Sequence, residues 1–259
     1  MDPKWSPRLP EFACAANSVS LIMPFAEPYF VKSVRAALPQ LDDDLRARAE
    51  EYLRQELQHH RQHRRFNDIL GNRYARVLRL ERWMRRTYGW LSDRKGLRFN
   101  LAFAAGSETI AFTLARWTED HLTELFTGAD PVPATMFLWH LAEEVEHKTV
   151  AFDVYQAVDG SKLRYAAAMV LSLLILTWFT TVGTLMMLAT DRRAWNPLRY
   201  VRLFRWALSF MFTQFQTLLV SALPGHHPSD LRDPDWLAAW LGHFDPETGT
   251  LPQPTVLAD

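Results

Sequence analysis

WHLAEEVEHKTVAFDV, residues 139–154, places three glutamates and two histidines within residues 139–147, in a segment otherwise built for burial. At 100° per residue, with His140 as zero, Glu144 falls at about +40° and His147 at about −20°. Met136, Phe137, Ala151, Val154 and Tyr155 share that face, Glu143 lies at its edge at about −60°, and Glu146 points away. A carboxylate in an apolar stripe is costly, so burial there demands a proton, a partner or a metal.

A second segment repeats the pattern. In YLRQELQHHRQH, residues 52–63, Glu56, His59, His60 and His63 fall within about 100° of one another, with Ala49, Tyr52, Leu53 and Leu70 on the same side. Glu56–His59 and Glu144–His147 are both Glu-x-x-His, which sets a carboxylate and an imidazole on adjacent turns facing one way. Two further helices each carry one glutamate on an apolar face. Glu27 aligns with Met23, Val31, Val34 and Leu38, and Glu108 with Leu101, Ala104, Ala105, Ala111, Phe112 and Ala115. A Glu from each of two helices plus Glu-x-x-His from each of two others is the side-chain set of a carboxylate-bridged two-metal site inside a four-helix bundle.

One Glu-x-x-His is weak, since thirteen glutamates and nine histidines give roughly 0.5 by chance. Two of them on apolar faces, interleaved with two more inward glutamates, are much stronger. The alternative, a solvated acidic edge with hydrogen-bonded core histidines, requires four helices to make the same error. His140, four residues before Glu144 on the same face, reads as a third imidazole ligand. His63 reads as a residue behind the ligands or a bystander, His60 as structural or exposed, and Glu143 as an acid–base candidate.

The rest of the chain is read as helix. Expected helices cover 24–38, 42–70, 73–90, 96–126 and 131–158, with the last ended by Asp159-Gly160. No strand-period run and no internal repeat is present. The chain of 259 residues is long enough for a substantial core, and its zero net charge gives no pointer to nucleic acid. Cys14 stands alone, which excludes an internal disulfide and suits a reducing compartment, and the N-terminus lacks an apolar signal core.

Three stretches, PFAEPYFVKSVR (24–35), QELQHHRQHRRFN (55–67) and WHLAEEVEHKTVAFDVY (139–155), resemble the bacterial family of predicted metal-dependent hydrolases, a ferritin-like group, over about residues 18–240. The His140–Glu144–His147 set is also similar to that of the p-aminobenzoate N-oxygenases, di-iron enzymes with one additional histidine. By that likeness Glu27, Glu56, His59, Glu108, His140, Glu144 and His147 are metal ligands. Carboxylate and imidazole without thiolate suit iron or manganese, and zinc is compatible.

Two chemistries follow. Two ferrous ions can use O2, with an electron donor, to oxidise a small or lipid-like substrate; alternatively, paired ions activate water for hydrolysis. The ligand set is read as favouring oxygen chemistry, with hydrolysis second and a non-catalytic iron-binding or structural bundle third.

The second half is different. Residues 165–190 form an uncharged run of 26, long enough to cross a bilayer, and 206–223 another of 18 softened by Gln214 and Gln216. Between them DRRAWNPLRYVRLFR is rich in arginine, and Arg73, Arg76, Arg79 and Arg82 form a basic row suited to anionic headgroups. The alternative is a buried helix pair or homodimer interface in a soluble cytoplasmic protein. His226-His227 reads as a loop pair without a metal.

The expectation is therefore an all-α protein. A ferritin-like four-helix bundle holding two metals occupies 1–160. A hydrophobic helical hairpin, set at the cytoplasmic face of a membrane, occupies 161–225. A short helix at 236–241 and a tail complete 226–259.

Overall fold

The computed structural model describes residues 2–190, 195–221, 223 and 225–243. Among them are nine α-helices and no strand: α1 Pro10–Ala37, α2 Asp43–Arg73, α3 Val77–Arg94, α4 Leu97–Glu119, α5 Leu122–Phe126, α6 Pro131–Val158, α7 Lys162–Leu188, α8 Pro197–Ser221 and α9 Trp236–His243. The expected tail at 245–259, and Arg192 and Arg193 of the arginine-rich linker, lie outside the described residues.

Local chemistry sets the helix ends. The Asp42 carboxylate accepts from Leu45 N–H at 2.8 Å and starts α2. Asp130 does the same for Val132 at 3.0 Å, with Pro131 in the first turn of α6. Gly160, at φ 68°, allows the turn from α6 into α7.

Helices α1, α2, α6 and α4 pack in a ring, α1 along α2 and α4 along α6, closed by α2 on α6 and α1 on α4. The all-α fold and its bundle agree with the sequence reading. Large side chains such as Leu21, Phe66, Phe103 and Phe112 are fully buried between the helices, each contributing about 1.5–3 kcal/mol of hydrophobic stabilisation. Helix α3 covers α1 and touches α7.

Helix α7 lies along α1 and α4, and α8 packs on α4 and α1; each meets the bundle far more than it meets the other. A Cβ at Gly106 on α4 would sit 2.8 Å from the Met169 Cα, so glycine there permits close approach of α7. Among the described residues α7 is the one helix long and apolar enough to cross a membrane, and only 28% of its apolar window is buried.

Three elements depart from the sequence reading. Helix α3 spans Val77–Arg94 in place of the expected 73–90, so Arg73 ends α2 and drops out of the expected basic row. Helix α1 starts at Pro10, fourteen residues before the expected start at 24, and carries Pro24 and Pro28 inside it. Pro24 has no N–H for the Ser20 carbonyl, and Asn67 Nδ2 of α2 donates to that oxygen instead, at 2.8 Å. The expected helix 96–126 is broken at His121 (φ −123°, ψ 4°) into α4 and α5. There the His121 Nδ1–H occupies the Trp117 carbonyl at 2.8 Å, where a continuing helix would place a backbone N–H.

Candidate metal centre

Glu27 of α1, Glu56, His59 and His63 of α2, Glu108 of α4, and His140, Glu144 and His147 of α6 are all buried, none more than 8% exposed. Helical spacing aims each Glu-x-x-His pair inward, and the ring of four helices brings the pairs together.

The donors form two adjoining groups. Donor atoms of Glu56, His59, Glu144 and His147 lie within 4.8 Å of one another, and those of Glu27, His63 and His140 do likewise. In the first group His147 Nδ1 is 2.8 Å from Glu56 Oε1 and 3.8 Å from Glu144 Oε1, and Glu108 Oε2 approaches it to 3.9 Å. His59 Nδ1 is 3.6 Å from Glu144 Oε1 and 3.8 Å from Glu56 Oε1. Glu144 also reaches the second group, its Oε1 lying 3.2 Å from His140 Nε2, and Glu27 Oε1 is 4.0 Å from His140 Nδ1.

Partners on the far side orient these rings. His59 Nε2 lies 2.8 Å from Glu143 Oε2, and Glu143 Oε1 accepts from Trp139 Nε1 at 2.8 Å. With Glu143 ionised the imidazole must donate, so the lone pair sits on Nδ1, facing the carboxylates. His147 Nε2 donates to Gln55 Oε1 at 3.0 Å, which turns Nδ1 toward Glu56 and Glu144, and Tyr52 Oη donates to Glu108 Oε1 at 2.7 Å.

His63 is fixed by a longer chain. Ser20 Oγ donates to Asn67 Oδ1 at 2.8 Å, so it accepts from His63 Nδ1, also at 2.8 Å. The His63 lone pair is therefore on Nε2, 2.9 Å from His140 Nδ1. The sequence reading left His63 either behind the ligands or a bystander; the structure places it in the second donor group.

Burial, reinforced by neighbouring carboxylates, pushes the Glu27 and Glu108 carboxyls well above their usual range, and burial raises Glu56 as well. Burial and the neighbouring His140 hold His59 and His63 well below the usual imidazole range. For His147 burial acts downward, but Glu144 and Glu56 outweigh it and push it up to about 10. Glu143, nearer the surface with 24% of its side chain exposed, is raised by burial to about 7.

The donor set fits two divalent cations. Both oxygens of Glu27, Oε2 of Glu56 and Nδ1 of His59 are buried without a hydrogen-bond partner, a costly state for polar atoms. Glu27, Glu56, Glu108 and Glu144 bring four carboxylates together, whose full ionisation two divalent cations would neutralise.

The remaining sequence candidates sit elsewhere. His60 lies outside both groups. His227 Nε2 bonds to Asp153 Oδ1 at 2.7 Å, while its Nδ1 caps a short turn. Ser20, Asn67, Tyr52, Gln55 and Trp139 were not singled out as site residues. Tyr52, Gln55, Asn67 and Trp139 stand within one turn of a donor residue, which is the available signal; Ser20 carries none.

Comparison with curated proteins and with solved structures gives no significant match. The model of a family described as predicted metal-dependent hydrolase matches residues 1–232. That match corrects the expected order of chemistries, because hydrolysis, placed second from the ligand set, is the activity the family description carries, and oxidation is not. Carboxylate–imidazole donors do not by themselves separate the two chemistries, which is why the ligand set misled. With a buried two-group donor cluster in the bundle and a family match over most of its length, the chain belongs to the family of predicted metal-dependent hydrolases.

Proposed function

We propose that the protein is a hydrolase with a two-metal centre. Glu56, His59, Glu108, Glu144 and His147 would hold one ion; Glu27, His63 and His140 would hold the other, with Glu144 shared. The observation that carries this reading is the pair of adjoining donor groups, each within 4.8 Å, with unpartnered donor atoms at its centre. When bound, such a pair supplies Lewis acidity, polarising a scissile ester, amide or phosphate and making water nucleophilic near neutral pH. Iron, manganese and zinc all accept this donor set.

The chain's own residues supply orientation and proton handling. Glu143 holds the His59 ring through Nε2 and, with a pKa near 7 and an edge toward solvent, can take up and release a proton at Oε2. Tyr52 fixes Glu108, and Gln55 fixes His147. A groove of 460 Å³ lined by Pro28, Val31, Lys32, Arg35, Ala36 and Leu57 opens between α1 and α2.

The test is metal content and hydrolysis of chromogenic carboxylic and phosphoric esters by protein loaded separately with each metal. About two ions per chain, turnover only when loaded, and loss of both in Glu144→Ala are expected. Protein that binds no metal would end this reading.

A further inference from the structure

Helices α7 and α8 are inside out for a protein whose surfaces all meet water. Several of their polar residues face the bundle. On α7, Tyr165 Oη is 2.6 Å from Thr109 Oγ1, Ser172 Oγ 2.7 Å from Ser107 Oγ, and Thr184 Oγ1 3.3 Å from Ser18 Oγ. On α8, Gln214 donates to the Ile110 carbonyl at 3.1 Å, Ser209 accepts from Trp117 Nε1 at 3.0 Å, and Thr217 accepts from Thr113 at 3.3 Å. Small residues and hydroxyl contacts of this kind join helices whose other side is in lipid.

The outward side of both helices is mostly apolar, interrupted by exposed Thr177 and Thr181 on α7 and Gln216 on α8. On α7 Leu163, Leu174 and Trp178 are 82%, 62% and 60% exposed; on α8 Val201, Phe204 and Phe212 are 62%, 64% and 64% exposed. Large apolar side chains exposed in this number go beyond scattered surface hydrophobics. Neither helix contains an acidic residue; Lys162 and Arg164 begin α7 and Arg199, Arg202 and Arg205 lie in the first part of α8, where Arg164 pairs with Asp159, Arg199 and Arg202 with Glu11, and Arg205 with Glu124. Helix α3 borders α7, its Leu80 Cδ2 lying 3.2 Å from where a Gly183 Cβ would stand, and carries exposed Arg79, Arg82, Arg86 and Trp83.

We propose that this face seats in one leaflet of a membrane containing anionic lipid, with α7 and α8 lying in its plane. The occupant follows from charge and polarity. A second copy would bring the exposed α3 arginines Arg79, Arg82 and Arg86 against themselves beside the apolar face, whereas lipid phosphates complement them and the acyl region takes the apolar side chains. The helices lie along the bundle, so spanning would drag the charged outer side of α2 into hydrocarbon; insertion from one side does not. The proposal is independent of the hydrolase reading.

The test is flotation of the full chain with phosphatidylcholine vesicles, with and without phosphatidylglycerol. It compares the wild type with Leu174→Glu/Phe212→Glu and with Arg79→Glu/Arg82→Glu, after circular dichroism shows that each variant keeps its helix content. Wild type is expected to float, more strongly with phosphatidylglycerol, with about tenfold or greater loss of binding in the apolar pair. The arginine pair should lose the phosphatidylglycerol preference. Flotation unchanged by Leu174→Glu/Phe212→Glu would overturn the proposal. So would a wild type that ignores vesicles, whether it runs as a monomer or as a dimer that the same pair of changes dissociates.

Discussion

Glu143 Oε2 stands 2.8 Å from His59 Nε2, on the side of the ring away from the donor cluster. A carboxylate in that position fixes which nitrogen faces a metal and raises its basicity. Glu143→Ala is therefore expected to weaken metal binding by about 10–100-fold while leaving helix content unchanged. Glu143→Gln, which keeps an acceptor for His59 but cannot ionise, should bind metal better than Glu143→Ala and lose any rate limb near pH 7. Calorimetric titration with the metal and a pH–rate profile separate the two effects; equal affinities in wild type and Glu143→Ala would refute the orienting role.

Metal-free protein should lose stability as pH rises above the unfolded carboxyl range, and through His147 between 6.5 and about 10. Glu27 and Glu108 hold their protons more tightly folded than unfolded, so their contribution is fully present below the unfolded carboxyl range and is lost as pH rises through the folded values. His147, raised to about 10, acts in the same direction from the unfolded imidazole range up to about 10. His59 and His63, held low, are neutral in both states above about pH 7 and add no slope there. Each proton is worth about 1.4 kcal/mol per pH unit. Thermal melts from pH 7 to 9.5 should show a falling Tm without metal and a widening gap to the loaded protein; parallel curves would contradict this.

Neither Glu27 oxygen has a hydrogen-bond partner. Glu27→Met, close in volume, should raise the stability of metal-free protein by about 1 kcal/mol or more, since it removes an unsatisfied buried group. It should also cut the metal content toward one ion per chain. Denaturant melts paired with metal analysis check both, and a destabilised metal-free variant would show that Glu27 is satisfied in a way the geometry does not reveal.

Gly106→Ala should destabilise the fold by about 1–3 kcal/mol, because the new methyl meets the α7 backbone at Met169 and not a movable side-chain tip. The same change at Gly89, where nothing lies within 4 Å, is the control. Equal melting temperatures for the two variants would mean that α7 docks less closely than described.

Much of this was legible in the sequence where local rules agreed with the fold. Helix α6 runs over the expected residues because a capping Asp130, a first-turn proline and Asp159-Gly160 all mark the same ends. The ligand faces were legible for a similar reason, since a carboxylate inside an apolar stripe has few explanations. Helix α1 was cut short because Glu11, Asn17, Ser18 and Ser20 interrupt its apolar pattern while being buried. Their partners, such as Trp5 Nε1 on Asn17 Oδ1 at 3.0 Å and Arg202 on Glu11, exist only in three dimensions. Ser20 and Asn67 escaped notice likewise: they are 47 positions apart, and only the packing of α1 on α2 makes them partners. The order of chemistries was misjudged because the residues around a metal pair speak of donors, not of the bond to be broken.

Pro24 gives the first helix something close to a vernier. By withholding one backbone N–H it leaves the Ser20 oxygen for Asn67, and that contact locks α1 to α2 at one register. A slip of one turn, about 5.4 Å, would strand that oxygen and unhook the Ser20–His63 contact together. Glu27 lies two turns further along the same helix, so inserting one residue between Ser20 and Glu27 would swing its carboxylate about 100° off the donors. A residue that weakens its own helix thus calibrates where a carboxylate comes to rest; Pro24→Ala should make a better helix and a less accurately set site.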